Sequence, residues 1–251
     1  MTQTQAATRE PMHWRRALLD LFTSLVPLLT VAASTWWLLE LPRAYFMAAM
    51  GLYTALVALV ISTLPEHLPG PGLGHANRVT LGRATLIVPV ATLAFLPVEP
   101  DVAAAWWIIG MSTVAMVLDG IDGRVSRGVG CATTFGARFD MELDAFLMLA
   151  LSVLVWRSGQ TGAWVVLIGM LRYFFLGPGW LRQPLNSELP SSQRRKAVCA
   201  VQGIALLVCL APIIPPVMAT IVASTALALL ICSFGVDIRW LSQKADRGRT
   251  T

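Results

Sequence analysis

Long apolar runs alternate with short charged breaks along nearly the whole chain, and this alternation limits the possible fold more than any other feature. A helix needs roughly 20 residues to cross a bilayer core of roughly 30 Å, and only internally hydrogen-bonded backbone is stable in lipid. With 56% apolar and 13% charged residues, the chain lacks the polar surface of a soluble domain. We therefore predict an all-α, polytopic membrane helical bundle of about eight spans. The predicted spans cover residues 18–39, 44–64, 80–97, 102–121, 135–156, 162–177, 197–213 and 216–236.

The cationic residues fall mainly in alternate breaks, which predicts the orientation of the chain. Arg and Lys are concentrated in both tails and at the breaks after the second run (Arg78, with Arg83 at the start of the next span), the fourth run and the sixth run, whereas the remaining breaks contain only Arg43 and Arg157 as cations. Under the positive-inside rule both termini face the cytoplasm, and we predict an integral protein of a bacterial inner membrane. The net charge of +5 is spread over short loops without interleaved aromatics. This pattern predicts attraction to the lipid bilayer and no nucleic-acid partner.

Four aspartates lie where the fourth run ends and the fifth begins, on the predicted cytoplasmic side. Asp119 and Asp122 are three residues apart, and Asp140 and Asp144 are four apart. This spacing places each pair on one helical face, so that the two pairs can face each other. Carboxylates near hydrocarbon need a compensating charge, and hard oxygen ligands in this number suit Mg²⁺ or Mn²⁺. The cluster therefore predicts a metal site that can bridge to a substrate phosphate.

Residues between the two aspartate pairs add features of a phosphate site. We expect Gly123 to end the fourth helix beside the metal and Gly136 to open space at the head of the fifth. Arg127 is always charged and can bind a phosphate oxygen through two donors. This segment therefore predicts a diphosphate site. Displacement at phosphorus, with metal neutralising the charge on the leaving group, is the reaction that fits it.

The same residues resemble a known family signature. The segment resembles, at every spacing, the signature of the CDP-alcohol phosphotransferase (CDP-alcohol phosphatidyltransferase) family of integral membrane enzymes. It reads Asp119-x-x-Asp122-Gly123-x-x-Ser126-Arg127, then eight residues, then Gly136-x-x-x-Asp140-x-x-x-Asp144. The departure is Ser126, where the family usually has Ala. A second segment is similar to the Asn-x-x-Thr-x-x-Arg sequence that opens the family's first core helix, and here it reads Asn77-x-x-Thr80-x-x-Arg83.

The resemblance implies a role for each matched position. It implies transfer of a phosphatidyl group from CDP-diacylglycerol to an alcohol acceptor, with release of CMP. Two Mg²⁺ or Mn²⁺ ions would be held by Asp119, Asp122 and Asp140, and Asp144 would complete the metal site and act as general base. The CDP part would lie against Gly123, Ser126, Arg127, Gly136, Asn77 and Thr80.

The resemblance also implies a division of the chain. A six-helix catalytic body at 76–240 would follow a tail and two additional helices at 1–70, and a cytoplasmic tail would occupy 241–251. Relatives of this kind often pair, so a homodimer is one expectation.

The acceptor alcohol stays open at this stage, as does the choice between CDP-diacylglycerol and another CDP-alcohol as donor. Cations on the aspartate side, among them Arg138, Arg172 and Lys196, suit a phosphorylated acceptor such as glycerol 3-phosphate or inositol phosphate. The same residues could equally bind lipid headgroups.

Two other functions compete with this interpretation. An intramembrane prenyltransferase also binds diphosphate through Mg²⁺, but it would place aspartate motifs on two separated helices, whereas this chain has one compact cluster. A non-enzymatic metal-ion carrier should have acidic residues near the bilayer midplane and an inverted repeat, and the sequence has neither pattern.

Overall fold

A computed structural model describes residues 19–63, 74–97, 101–129, 134–171, 173 and 193–247. Within these ranges every regular element is a helix, as the sequence predicts. A short 3₁₀ helix at Ala163–Val165 continues into a helical stretch at 166–171. The longer helices are α1 (Leu25–Leu38), α2 (Ala44–Thr63), α3 (Gly74–Phe95), α4 (Val102–Val129), α5 (Thr134–Arg157), α6 (Gln193–Leu210) and α7 (Pro216–Arg247).

Among the residues that the structure describes, five helical segments are long and apolar enough to cross a membrane, and they agree with five of the predicted spans. The predicted span at 135–156 is indeed a helix, α5, but its carboxylates leave it outside this set. The one at 197–213 corresponds to a shorter apolar helix, and the one at 162–177 lies partly outside the described residues. The five segments are Leu19–Leu38, Ala44–Ser62, Arg78–Phe95, Val102–Ile121 and Pro216–Asp237.

The fourth helix is longer than the sequence pattern predicts, which corrects the expectation for Gly123. We expected Gly123 to end this helix, but α4 continues without a break to Val129. At 1.5 Å per residue its 28 residues span about 42 Å, more than a hydrocarbon core. A glycine lowers helix propensity by only about 1 kcal/mol, which the hydrogen bonds of a continuous helix outweigh. The Asp119–Arg127 segment is therefore helical and not a loop.

Helix α3 is the most enclosed of the five apolar segments. In Arg78–Phe95, 72% of the residues are buried, against 22 to 28% in the other four. A segment with little outward surface is surrounded by protein, so its polar side chains need partners within the bundle. This makes α3 the element on which an internal polar site can be built.

The chain forms two compact units. The first comprises Met1–Pro97 with Gly110–Asp144, and the second comprises Val98–Ile109 with Ala145–Thr251. In the second unit α6 and α7 are joined by polar contacts, since Gln202 donates from Nε2 to the Ala226 carbonyl oxygen at 2.8 Å. Arg194 donates to the Ser233 carbonyl oxygen at 2.9 Å and also pairs with Asp237. The residues of the aspartate cluster all belong to the first unit.

Candidate active site

A buried arginine stands at the centre of the first unit's polar residues. Arg83 lies on α3 with only 1% of its side chain exposed. Its Nε donates to the carbonyl oxygen of Ala115 on α4 at 3.1 Å. Its Nη1 donates to Oδ1 of Asp119 at 2.8 Å and to Oδ1 of Asp140, and its Nη2 donates to Oδ1 of Asp144. One guanidinium thus connects three carboxylates and the backbone of α4.

The three carboxylates come from two helices and converge on one point. Asp119 is supplied by α4, while Asp140 and Asp144 lie one turn apart on α5. One oxygen atom from each lies within 4.8 Å of the others. Their side chains are 38 to 40% exposed, so each has a protein-facing and an open side. Of the two aspartate pairs predicted to face each other, Asp119, Asp140 and Asp144 lie together, and the side chain of Asp122 lies outside what the structure describes.

This donor set fits a divalent cation. Three ionised carboxylates against one guanidinium leave a negative surplus, which a divalent ion can neutralise. Carboxylate oxygens are the ligands that Mg²⁺ and Mn²⁺ take most readily, and both ions also keep water or substrate oxygens in their shell. The open side of the cluster provides room for such further ligands. Asp119, Asp140 and Asp144 could thus hold a metal ion.

Comparison of the sequence with protein families identifies the family of this chain. The family model for CDP-alcohol phosphatidyltransferases matches residues 73–233, well over half of the 251-residue chain. The chain belongs to the CDP-alcohol phosphatidyltransferase family. It is therefore an enzyme of that family. Membership of the family implies that its substrates are CDP-alcohols. The match gives no support to a prenyltransferase or a metal-ion carrier. No curated protein and no solved structure matches the chain.

Several residues that the family resemblance assigns to CDP binding lie on the same helices as the triad. Thr80 is buried on α3, one turn before Arg83, and Gly136 is buried near the start of α5, one turn before Asp140. Asn77 belongs to the first turn of α3, but its side chain lies outside what the structure describes. The same holds for four positions in the last turns of α4, namely Asp122, Gly123, Ser126 and Arg127.

The cations assigned to the acceptor are described to different degrees. Arg138 is exposed on α5, two residues before Asp140. Lys196 lies in the first turn of α6, with its side chain outside the described part of the chain. Arg172 lies wholly outside the described residues.

Arg83 is the site residue whose role the sequence does not predict. The sequence marks it only as the last position of the Asn77 segment, and the charge that compensates the aspartates was expected to be a metal. A sequence signal does exist, because an arginine inside an apolar run faces the protein interior and pairs with an acidic group. What that signal omits is the partner, since Asp119 and Asp144 are 36 and 61 residues away along the chain.

Proposed function

We propose that this enzyme transfers a phosphatidyl group from CDP-diacylglycerol to an alcohol acceptor and releases CMP, as a step of phospholipid biosynthesis. The observation that carries the proposal is the convergence of Asp119, Asp140 and Asp144 within 4.8 Å. It stands within a chain that belongs to the CDP-alcohol phosphatidyltransferase family. Family membership indicates that the donor is a CDP-alcohol. The carboxylates provide the negative charge that would bind a cation, and the cation would bind the diphosphate of the donor.

In this proposal the aspartates would hold two Mg²⁺ or Mn²⁺ ions. Asp119, Asp122 and Asp140 would be the main ligands, and Asp144 would complete the set. Bound metal would neutralise the charge that builds up on the leaving phosphate. The guanidinium of Arg83 holds one oxygen of each triad carboxylate, which restricts the directions that the carboxylate groups can take. Such restraint favours a ligand set with a fixed shape.

Asp144 is the proposed general base. It accepts the proton of the acceptor hydroxyl, and the acceptor oxygen forms a bond to the phosphorus that carries the diacylglycerol. The bond from that phosphorus to the bridging oxygen breaks, and the electron pair leaves with CMP. The exposed side of Asp144 supports this role, because a base must reach a hydrogen bond to the incoming hydroxyl.

Binding of the nucleotide is assigned to residues around the two helix ends. Arg127 would bind a phosphate oxygen, and Gly123, Ser126 and Gly136 would allow the CDP part to approach the backbone. Asn77 and Thr80 would contact the nucleotide from α3. The position of Thr80, buried and one turn from Arg83, supports its place in this group.

We propose eight spans, with both termini and the active site on the cytoplasmic side of a bacterial inner membrane. The alternation of cationic breaks supports this topology. A water-soluble product such as CMP must leave to the aqueous phase while the acyl chains stay in the bilayer, which also suits a site at that surface. The catalytic body would comprise 76–240, after an N-terminal extension at 1–70 and before a tail at 241–251. We further propose a homodimer as the assembled form.

For the acceptor we propose a phosphorylated alcohol, such as glycerol 3-phosphate or inositol phosphate. An exposed cation, Arg138, lies on the same helix as Asp140 and Asp144 and supports this choice, because an anionic acceptor is attracted to positive charge on the side of the chain that carries the cluster. Arg172 and Lys196 are the other cations assigned to the acceptor.

A reconstituted assay tests both substrates. Full-length enzyme in lipid nanodiscs would be given radiolabelled CDP-diacylglycerol, Mg²⁺ and one acceptor at a time, and CMP release would be measured. We expect release with glycerol 3-phosphate or inositol phosphate and little with glycerol, inositol or serine. Turnover with a neutral alcohol or an amino alcohol alone would overturn the phosphorylated acceptor. Turnover with a soluble CDP-alcohol and not with CDP-diacylglycerol would overturn the donor.

A further inference from the structure

Two helices that lie outside the matched family region share a buried core with α3. Both α1 and α2 end before residue 73, where the family match begins. Leu28 of α1, Tyr53 of α2 and Val88 of α3 form one buried hydrophobic cluster. Since each helix contributes one fully enclosed side chain, α3 is packed against both members of the N-terminal pair.

A second apolar cluster connects the N-terminal pair to α3, which carries Arg83, and to α5, which carries Asp140 and Asp144. Leu21, in the helical stretch just before α1, and Val60 of α2 pack with Leu81 of α3, and Phe139 of α5 packs against the same cluster. Leu81 lies between Thr80 and Arg83, and Phe139 is the neighbour of Asp140. A displacement of the pair would therefore be felt at residues adjacent to the proposed nucleotide and metal ligands.

A polar contact fixes the pair to the first turns of α3. Asp20 Oδ1 and Arg78 Nη2 are 3.0 Å apart. The segment that carries Asp20 is itself held, because Tyr53 donates from its hydroxyl to the Leu21 carbonyl oxygen at 3.0 Å and is hydrogen-bonded to Ser24. Arg78 stands between Asn77 and Thr80, which the proposed function assigns to the nucleotide.

We propose that Asp20 is a positioning residue of the active site, and that the N-terminal pair acts through it to set the rotation and depth of α3. In this arrangement the pair holds Thr80 and Arg83 in register with the carboxylates of α4 and α5. The inference rests on the proposed function for its turnover measurements, while its metal-binding measurement is independent of turnover.

The burial of Asp20 and Arg78 indicates how their ion pair should respond to substitution. The Asp20 side chain is only 12% exposed, whereas that of Arg78 is 47% exposed. A carboxylate so far from water is stabilised by the cation beside it, while an arginine with half its surface open can be hydrated instead. Each single reversal should therefore disturb α3. The change at Arg78 leaves the enclosed Asp20 carboxylate beside another anion, and the change at Asp20 places a second cation beside Arg78 in an enclosed position. Reversing both should restore the attraction.

A double-mutant cycle in full-length enzyme tests the proposal. Asp20→Arg, Arg78→Asp and the double variant would be compared for kcat and KM with CDP-diacylglycerol, for the Mn²⁺ dissociation constant, and for thermal unfolding. We expect Asp20→Arg to raise KM and lower kcat by about tenfold in total and to weaken Mn²⁺ binding about threefold. The double variant should recover to within about threefold of the wild type, as coupled residues in contact do.

Control measurements separate positioning from simple stabilisation. Arg43→Gln changes an exposed charge of the same pair, in the connection between α1 and α2, and should leave all values unchanged. A purely structural role would lower the unfolding temperature and the folded fraction but leave KM and the Mn²⁺ dissociation constant of the folded enzyme as they were. That result, or a double variant no better than the combined singles, overturns the proposal. If the wild type released no CMP at all, the proposed function would fail, and the Mn²⁺ cycle alone would decide the positioning role.

Discussion

Arg83 and Asp144 are joined by a hydrogen bond from Nη2 to Oδ1, while the other two carboxylates of the cluster, Asp119 and Asp140, both accept from Nη1 of the same guanidinium. Asp144 thus has one nitrogen of the guanidinium as its own donor, whereas Asp119 and Asp140 share the other. This asymmetry is consistent with two roles for chemically identical groups, in which Asp119 and Asp140 act as metal ligands and Asp144 also accepts a proton.

Replacement of Arg83 should disable the enzyme even when its charge is kept. We expect both Arg83→Gln and Arg83→Lys to lower kcat by about 10²-fold, since displacing catalytic groups by about 1 Å can have an effect of that size. Lysine cannot reproduce the planar fork that contacts three carboxylates and a carbonyl. The measurement is CMP release, with thermal unfolding recorded beside it to detect loss of fold. Full turnover by Arg83→Lys would show that the fork is not needed.

Asp144→Asn should abolish proton transfer while leaving the nucleotide bound. We expect turnover to fall by roughly 10² or more, with metal and CDP binding retained, because the amide cannot accept the hydroxyl proton. Glu142→Gln is the matched control, as Glu142 lies on the same helix outside the triad. Turnover close to that of the wild type in Asp144→Asn would remove Asp144 from the role of base.

Asp119→Ala should abolish metal-dependent CDP binding. The substitution removes the one triad ligand that α4 supplies, and the ions that remain weakly held by α5 could not bridge to the diphosphate. Binding of CDP would be measured by calorimetry with and without Mg²⁺. Asp101→Asn serves as control, since Asp101 lies before α4 and accepts a hydrogen bond from the Ala104 amide at 2.7 Å. Retained Mg²⁺-dependent binding in Asp119→Ala would argue against the ligand assignment.

Gly169→Ala should destabilise the second unit. A Cβ at this buried glycine would meet the Leu149 backbone nitrogen and the Ser152 Oγ, each at 2.8 Å, and the Leu149 Cα is closer still. Because backbone cannot yield as a flexible side chain does, we expect a loss of about 1–3 kcal/mol in the free energy of unfolding. Gly110→Ala is the matched control, since a Cβ there meets nothing within 4 Å, and it should be neutral or slightly stabilising. Equal unfolding temperatures for the two variants would contradict the packing at Gly169.

Much of the site follows from local sequence spacing. Asp140 and Asp144 are four residues apart on a helix, so their shared face is fixed by helical geometry, and the surplus of negative charge near an apolar run indicates a cation. The five long apolar spans are predictable for a similar reason, because length and hydropathy are properties of a single segment. Helix α5 differs from these five. Its length matches the predicted span at 135–156, but its carboxylates lower its hydropathy and leave it outside the set of long apolar helices.

The features that escape prediction depend on contacts between distant segments. The contacts of Arg83 require α3, α4 and α5 to be packed together, and no local pattern states which arginine enters which cluster. The contact of Asp20 with Arg78 is of the same kind, since the two residues lie on different helical segments and no local pattern pairs them. The end of α4 fails for another reason, because a single glycine is a weak stop signal inside a helix whose backbone hydrogen bonds continue to Val129.

Catalysis by a metal ion bound to the aspartates is tested most directly by measuring CMP release from CDP-diacylglycerol with the purified, nanodisc-embedded enzyme. A panel of acceptor alcohols would be supplied, first after treatment with EDTA and then after addition of Mg²⁺ or Mn²⁺. We expect no CMP in EDTA, CMP release with at least one acceptor on addition of either metal, and no release by Asp119→Ala at the same metal concentration. Release of CMP in EDTA, or wild-type release by Asp119→Ala, would contradict a metal site formed by these aspartates.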